Sequence, residues 1–106
     1  MSVIEINDKN YEEYSSGVLL IEFGAEFCAP CKALSPIFED ASNEFPNITF
    51  GRADVEQAPA LAARAGIRGI PAIAAVGSGK ILGKKNGAIL RDDIISLAKV
   101  LSDFQA

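Results

Sequence analysis

Two cysteines, Cys28 and Cys31, are the only thiols in the chain, and Ala29 and Pro30 separate them. An apolar segment precedes the pair and a helical pattern follows it, which predicts Cys28 at the start of a helix. Unpaired N–H groups and the positive dipole end stabilise a thiolate there. Pro30 suits the first helical turn. Cys31, one turn later, is close enough to attack a mixed disulfide on Cys28, so the spacing predicts dithiol–disulfide exchange.

Three other interpretations of the cysteine pair are weaker. A structural disulfide would close a four-residue loop, which stabilises a fold by only about 2 kcal/mol. A zinc site needs four ligands, whereas this chain offers two thiols and no histidine. The third alternative is two buried cysteines that are adjacent by chance. The absence of histidine also excludes Ser–His and Cys–His catalysis.

Length and net charge restrict the class of protein to which this chain can belong. A chain of 106 residues, 49% of them hydrophobic, predicts a single folded domain over residues 1–106. The net charge of −4, without a basic cluster, argues against nucleic acid or anionic membrane as a partner. No apolar run is long enough for a transmembrane helix. We expect no signal peptide, because the first residues lack basic and apolar regions. Two closely spaced cysteines favour a reducing, cytoplasmic location.

Apolar periodicity and turn residues predict nine elements in the order β α β α β α β β α. The predicted strands cover residues 3–6, 18–23, 48–55, 70–76 and 80–85. The predicted helices cover residues 11–16, the segment after the cysteines, 57–65 and the segment from Asp92 onward. The alternation predicts an α/β fold with a mostly parallel central sheet, an antiparallel C-terminal hairpin and helices on both faces.

Glu22 interrupts the apolar strand that precedes the cysteines. Central parallel strands are buried on both faces, and a lone buried carboxylate is costly, so an acid here indicates a function. The alternative is a strand end that lifts Glu22 into solvent.

Two separated motifs resemble those of the thioredoxin family. The segment from Glu22 to Lys32 is similar to that family's active-site stretch, with Pro36 at its helix proline. The segment from Gly66 to Pro71 is similar to its cis-proline loop. Gly79 and Gly87 also match, and the resemblance covers nearly the whole chain in the same element order.

The resemblance implies a thioredoxin fold and a protein-disulfide reductase. Cys28 would attack a client disulfide, Cys31 would resolve the mixed disulfide, and Glu22 would accept a proton from Cys31 through a water. Arg52 matches the family's buried-pair lysine and is a candidate for the proton relay; the alternative is a solvated strand-end arginine. Pro71 would be cis rather than an ordinary trans proline. The candidate substrate-binding residues are Phe27, Ala29, Pro30, Ile70, Pro71 and Gly87.

The resemblance also implies partners. Electrons would come from a thioredoxin reductase, clients would be disulfide-containing proteins, and we expect a monomer with no bound cofactor or metal. The chain departs from the family at Ala29, where glycine is usual, at Gly24 and Phe27, where larger aromatic rings are usual, and at Ala72, where threonine is usual. These changes alter the surface beside the disulfide and raise the option of a dedicated reductase.

Other functions of the same fold stay open at this point. A more oxidising dithiol would make the protein an oxidase or isomerase. An interaction module would use the groove without redox chemistry. A dimer could share a metal or an iron–sulfur cluster through two cysteine pairs.

Overall fold

The computed structural model describes residues 3–105, so Met1, Ser2 and Ala106, at the ends of the predicted domain, lie outside it. The strands are β1 Val3–Glu5, β2 Val18–Gly24, β3 Thr49–Asp54, β4 Ala72–Gly77 and β5 Lys80–Asn86. The helices are α1 Tyr11–Ser15, α2 Ala29–Ser42, α3 Pro59–Arg64 and α4 Arg91–Gln105. The predicted element order is confirmed.

The described strands form one sheet in the order β1-β3-β2-β4-β5. β1, β3 and β2 run parallel, whereas β4 pairs antiparallel with β2 and β5 antiparallel with β4. The predicted α/β class and the antiparallel C-terminal hairpin are confirmed. Parallel pairing is confined to three strands, because the inner strand of the hairpin joins the central strand β2 in the opposite direction.

Alternate side chains of β2 enter two separate cores, as the period of a strand requires. Leu19, Ile21 and Phe23 pack in one core with residues of α1 and α3. Leu20 packs in the other core with residues of α2 and α4. Glu22 has the parity of Leu20, so its carboxylate lies on the face of the sheet that α2 covers.

The direction of α2 brings its first turn to the C-terminal end of β2. Leu34, Phe38 and Ala41 form its buried stripe, while Pro36 lies exposed within the helix. Phe38 packs against Phe50 of β3, with ring centroids 5.1 Å apart. Helix α2 is therefore fixed to the sheet behind the cysteines. None of the helices formed by residues 3–105 is long and apolar enough to cross a membrane.

Candidate active site

Cys28 and Cys31 form a disulfide at the start of α2. Cys28 is the N-cap residue and has an extended backbone, while Cys31 lies in the first turn. The backbone N–H of Cys31 donates to Cys28 Sγ over 3.2 Å. The two residues are only 8% and 5% exposed, so exposure does not distinguish the sulfurs in the disulfide form. The hydrogen bond distinguishes the two sulfurs, because the helix N-terminus donates to the sulfur of Cys28, as the sequence predicted.

Glu22 is 1% exposed, and each of its carboxylate oxygens accepts a hydrogen bond. Arg52 Nε donates to Oε1 over 2.9 Å, and Ser35 Oγ donates to Oε2 over 3.1 Å. The pair forms because Glu22 and Arg52 are neighbours in the β2–β3 register and therefore share a face. The solvent-exposed alternative for Glu22 is wrong, and Arg52 contacts this buried acid although its side chain remains 39% exposed.

Burial dominates the titration of Glu22 and raises the pKa of its carboxyl above the ordinary value. The hydrogen bond and positive charge of Arg52 and the hydrogen bond of Ser35 lower the pKa, while the charge of Glu39 raises it slightly. The fixed positive charge of the Arg52 guanidinium therefore opposes the effect of burial on the pKa of Glu22. Burial nevertheless outweighs it. Glu22 is poised to hold a proton at a pH where an exposed glutamate would be ionised.

A cavity of about 210 Å³ borders both Glu22 and Cys31. Gly24 lines it beside Cys31, where a Cβ atom would lie 3.0 Å from Cys31 Cβ and 3.2 Å from Cys31 Sγ and would crowd that side chain. The remaining lining residues are Ala25, Glu26, Lys32, Ser35, Arg52, Ala53 and Asp54. The cavity provides a route between the buried acid and the second cysteine.

A groove of about 220 Å³ lies on the other side of α2 and brings together Pro30, Pro71 and Gly87. The Ile70–Pro71 peptide bond is cis, as predicted. Gly87 has a φ of 90°, a conformation suited to glycine, and its N–H donates to the carbonyl of Pro71 over 3.0 Å. The groove therefore joins the start of α2 to the cis-proline loop.

The other predicted substrate-binding residues lie around the disulfide rather than in this groove. Phe27 is 73% exposed, and Ala29 is exposed at the first position of α2. Ile70 is half-buried and packs against the cluster of Ala25, Cys28 and Cys31. Among residues 3–105, no group of three or more His, Cys, Asp and Glu side chains could hold a metal ion.

Sequence reasoning missed three residues of the site. Ser35 hydrogen-bonds to Glu22, and its spacing of one helical turn from Cys31 is the signal that could have indicated it. Ile37 and Ile89 line the groove beside Pro30. Ile37 has the helical spacing of a core residue of α2 but is 40% exposed, and no local pattern distinguishes a groove residue from a core residue.

A disulfide at the N-terminus of a helix, with a buried acid behind it and a cis proline beside it, defines a thiol–disulfide oxidoreductase. The sequence model of the family described as Thioredoxin matches residues 2–100. The chain belongs to the thioredoxin family.

Two thioredoxins of Buchnera aphidicola are similar to this chain. The one from subspecies Acyrthosiphon pisum is 36% identical over 82% of this chain and 84% of the relative. The one from subspecies Schizaphis graminum is 41% identical over the same two shares, 82% and 84%. A solved structure of a mutant thioredoxin from Halobacterium salinarum superposes with a TM-score of 0.83, covering 99% of this chain and 92% of that chain. Because the two sequences are only 22% identical, this similarity shows the fold alone.

Proposed function

We propose that this protein reduces protein disulfides by thiol–disulfide exchange through Cys28 and Cys31. The observation that carries the proposal is the hydrogen bond from the Cys31 N–H to Cys28 Sγ at the start of α2. It stabilises a thiolate on Cys28, which makes this sulfur the nucleophile toward a client disulfide. Attack forms a mixed disulfide and releases one client thiolate. Cys31 then displaces the second client sulfur and restores the Cys28–Cys31 bond.

Glu22 is the proposed proton acceptor for Cys31. Its carboxylate borders the same cavity as Cys31. Its raised pKa is closer to the pKa of the Cys31 thiol, from which it would accept the proton. A water within the cavity would complete the path. Arg52 holds one carboxylate oxygen and stays charged throughout, so its proposed part in the relay is electrostatic rather than proton transfer.

The groove is the proposed client site. Pro30, Pro71 and Gly87 supply its floor, and Ile37 and Ile89 supply apolar contacts. Ile70 precedes β4, and the β4–β5 ladder begins at Ala72, so the Ile70 backbone lies outside the sheet pairing. An extended client segment would pair with it as an added strand. Phe27 and Ala29 would contact the client beside the disulfide.

The proposed electron donor is a thioredoxin reductase, so the cycle uses the reversible disulfide and requires no bound cofactor. We place the reaction in the cytoplasm and assign it to a monomer, with disulfide-containing proteins as clients. Gly24 and Phe27 stand where large rings are usual beside the disulfide. Because aromatic anchors often dominate interface energies, these two positions favour a dedicated reductase over a generic one.

A redox titration against glutathione or dithiothreitol tests the proposed direction of exchange. A reductase is expected near the thioredoxin value of about −270 mV, whereas a value near −180 mV would instead indicate an isomerase. Cys31→Ser is expected to accumulate a mixed disulfide on Cys28, while Cys28→Ser is expected to trap nothing. Turnover of an insulin-type substrate at an ordinary KM with a heterologous reductase would contradict the dedicated-reductase proposal.

A further inference from the structure

Ser35 joins Glu22 to the helical turn that carries Cys31. Its Oγ lies 3.1 Å from Glu22 Oε2 and also 3.1 Å from the carbonyl oxygen of Cys31, one turn earlier in α2. A serine hydroxyl has one proton and two acceptor lone pairs, so it donates to only one of these oxygens at a time. The two contacts are therefore alternative positions of a single proton.

The two carboxylate oxygens of Glu22 have different neighbours. Oε1 accepts from Arg52 Nε at 2.9 Å, and a guanidinium is a donor that stays charged. A proton bound to Oε1 would be repelled by that N–H group and would weaken its hydrogen bond. Oε2 faces Ser35, which is able to donate or to accept. The site therefore favours protonation of Glu22 at Oε2.

We propose that Ser35 is a positioning residue for proton transfer from Cys31: it directs the proton to Oε2 of Glu22 and reverses its hydrogen bond when the proton arrives. The inference rests on the proposed role of Glu22 as proton acceptor. While Glu22 is ionised, Ser35 makes a charge-assisted hydrogen bond to Oε2. Once Oε2 is protonated, its O–H donates to Ser35 Oγ, and the Ser35 proton turns to the carbonyl of Cys31. Both states keep the buried oxygen paired.

The resolving step conserves atoms and electrons. The S–H bond of Cys31 breaks, its proton binds Oε2 of Glu22, and the sulfur keeps the electron pair. The Cys31 thiolate attacks Cys28 Sγ, and the new S–S bond forms as the bond to the client sulfur breaks. The second client sulfur leaves as a thiolate, so that over the two exchange steps the client disulfide gains two electrons and the Cys28–Cys31 dithiol loses two.

Several other groups face Glu22 or the cavity beside it, and a Ser35 substitution leaves all of them in place. They are Arg52 and Asp54 from β3, Lys32 and Glu39 from α2, and Glu26 from the loop between β2 and α2. The hydrogen bond of Ser35 lowers the pKa of Glu22. Removing the hydroxyl alone therefore favours the protonated carboxyl.

A carboxyl titration by NMR of ¹³C-labelled glutamate tests the contact directly in the disulfide-bonded protein. Ser35→Ala is expected to move the Glu22 titration upward, and Ser35→Thr, which keeps a hydroxyl, is expected to restore it. Ser42→Ala is the matched control, because Ser42 lies in the same helix and donates to the carbonyl of Glu39 at 2.6 Å. Coincident titrations of wild type and Ser35→Ala would overturn the inference.

Single-turnover release of a dye-labelled peptide thiol from Cys28 tests the consequence for the reaction. Ser35→Ala is expected to slow release about 10-fold at the acid end of the profile and less at the alkaline end. It is expected to add nothing in the Glu22→Gln background. Slowing that is independent of pH and persists in that background would assign Ser35 a structural role and overturn the inference.

The experiments distinguish failure of the proposal for Glu22 from failure of the proposal for Ser35. If Glu22→Gln releases the peptide at the wild-type rate, the proposed base is wrong. The NMR titration still decides whether Ser35 sets the proton position on Glu22.

Discussion

At the scale of single residues, the two cysteines differ in backbone position rather than in exposure. Cys28 caps α2 and accepts the Cys31 N–H, whereas Cys31 lies within the helix beside the cavity that leads to Glu22. In the proposed mechanism, the helix N-terminus stabilises a thiolate on Cys28, whereas Cys31 depends on a base. This asymmetry supports the proposed assignment of the first step to Cys28 and of the second step to Cys31.

Alkylation of the reduced protein checks this asymmetry. At about pH 6, iodoacetamide is expected to label Cys28 at least about 10-fold faster than Cys31, because the thiolate reacts and the helix N-terminus stabilises it on Cys28. Peptide mass mapping at short times measures the two rates. Cys28→Ser and Cys31→Ser serve as controls that assign each phase, and equal labelling of the two thiols would contradict the assignment.

Residue identities indicated most of the site. Cys28 and Cys31 were visible from spacing, Glu22 from its misfit in an apolar strand, and Pro71 from resemblance. Ser35 was not, because a serine on a half-buried helix face is common and becomes informative only when its partner on another element is known. Side-chain contacts between elements are the part of a site that local sequence patterns do not contain.

At the scale of elements, local patterns predicted all nine segments in order, and the predicted ends of the five strands and of α1 and α3 agree with the structure within two residues. The periods of strands and helices are local properties, which is why they could be predicted. The direction of β4 relative to β2 is not local. It depends on which sheet edge the C-terminal hairpin joins, so the balance of parallel and antiparallel pairs emerged from the structure.

Helix α4 provides a test of which contacts hold the elements together. Leu101 is fully buried between α4 and the sheet, whereas Arg91 pairs with Asp40 and Glu44 of the α2 region at exposed positions. Leu101→Ala is expected to lower the free energy of unfolding by about 2–5 kcal/mol, because it removes buried contacts and leaves a cavity. Arg91→Ala is expected to change it far less, since exposed ion pairs are weak.

Urea unfolding of the two variants measures the difference. Equal losses of stability would show that the ion pairs contribute as much as the apolar face to the docking of α4, contrary to this prediction.

At the scale of the whole molecule, the disulfide lies between a cavity and a groove whose lining residues differ in chemical character. The cavity behind it, bordered by β2, β3 and α2, contains the charged groups and the buried acid. The groove in front, bordered by α2, Pro71 and the segment before α4, is lined by apolar and small residues. The proposed sites of proton transfer and of client binding therefore lie on opposite sides of α2. A substitution in one space is expected to leave the other intact.

The buried acid Glu22, which is the proposed proton acceptor, also affects the stability of the fold. The pKa of its carboxyl in the folded protein lies above the ordinary value of 4.5 that applies when the chain is unfolded. The folded protein therefore binds more protons, and stability falls as pH rises through this window. Wild type is expected to lose stability relative to Glu22→Gln from pH 4.5 upward, by at most about 1.4 kcal/mol per pH unit for one proton. The contribution of the raised Glu22 pKa to the stability of wild type is fully present below pH 4.5.

Denaturant unfolding across this pH range measures the effect, and the disulfide-bonded protein is the form to use because its cysteines do not titrate. Asp93→Asn provides a control in which the expected pH dependence of stability has the opposite sign. The backbone N–H of Leu90 and the ammonium of Lys85 hold the pKa of Asp93 below its ordinary value. Its contribution is therefore present above pH 3.8 and is lost as pH falls through the folded pKa. A difference between wild type and Glu22→Gln that stays constant with pH would mean that the carboxyl of Glu22 titrates alike in both states. Burial in the fold would then impose no cost on its charge.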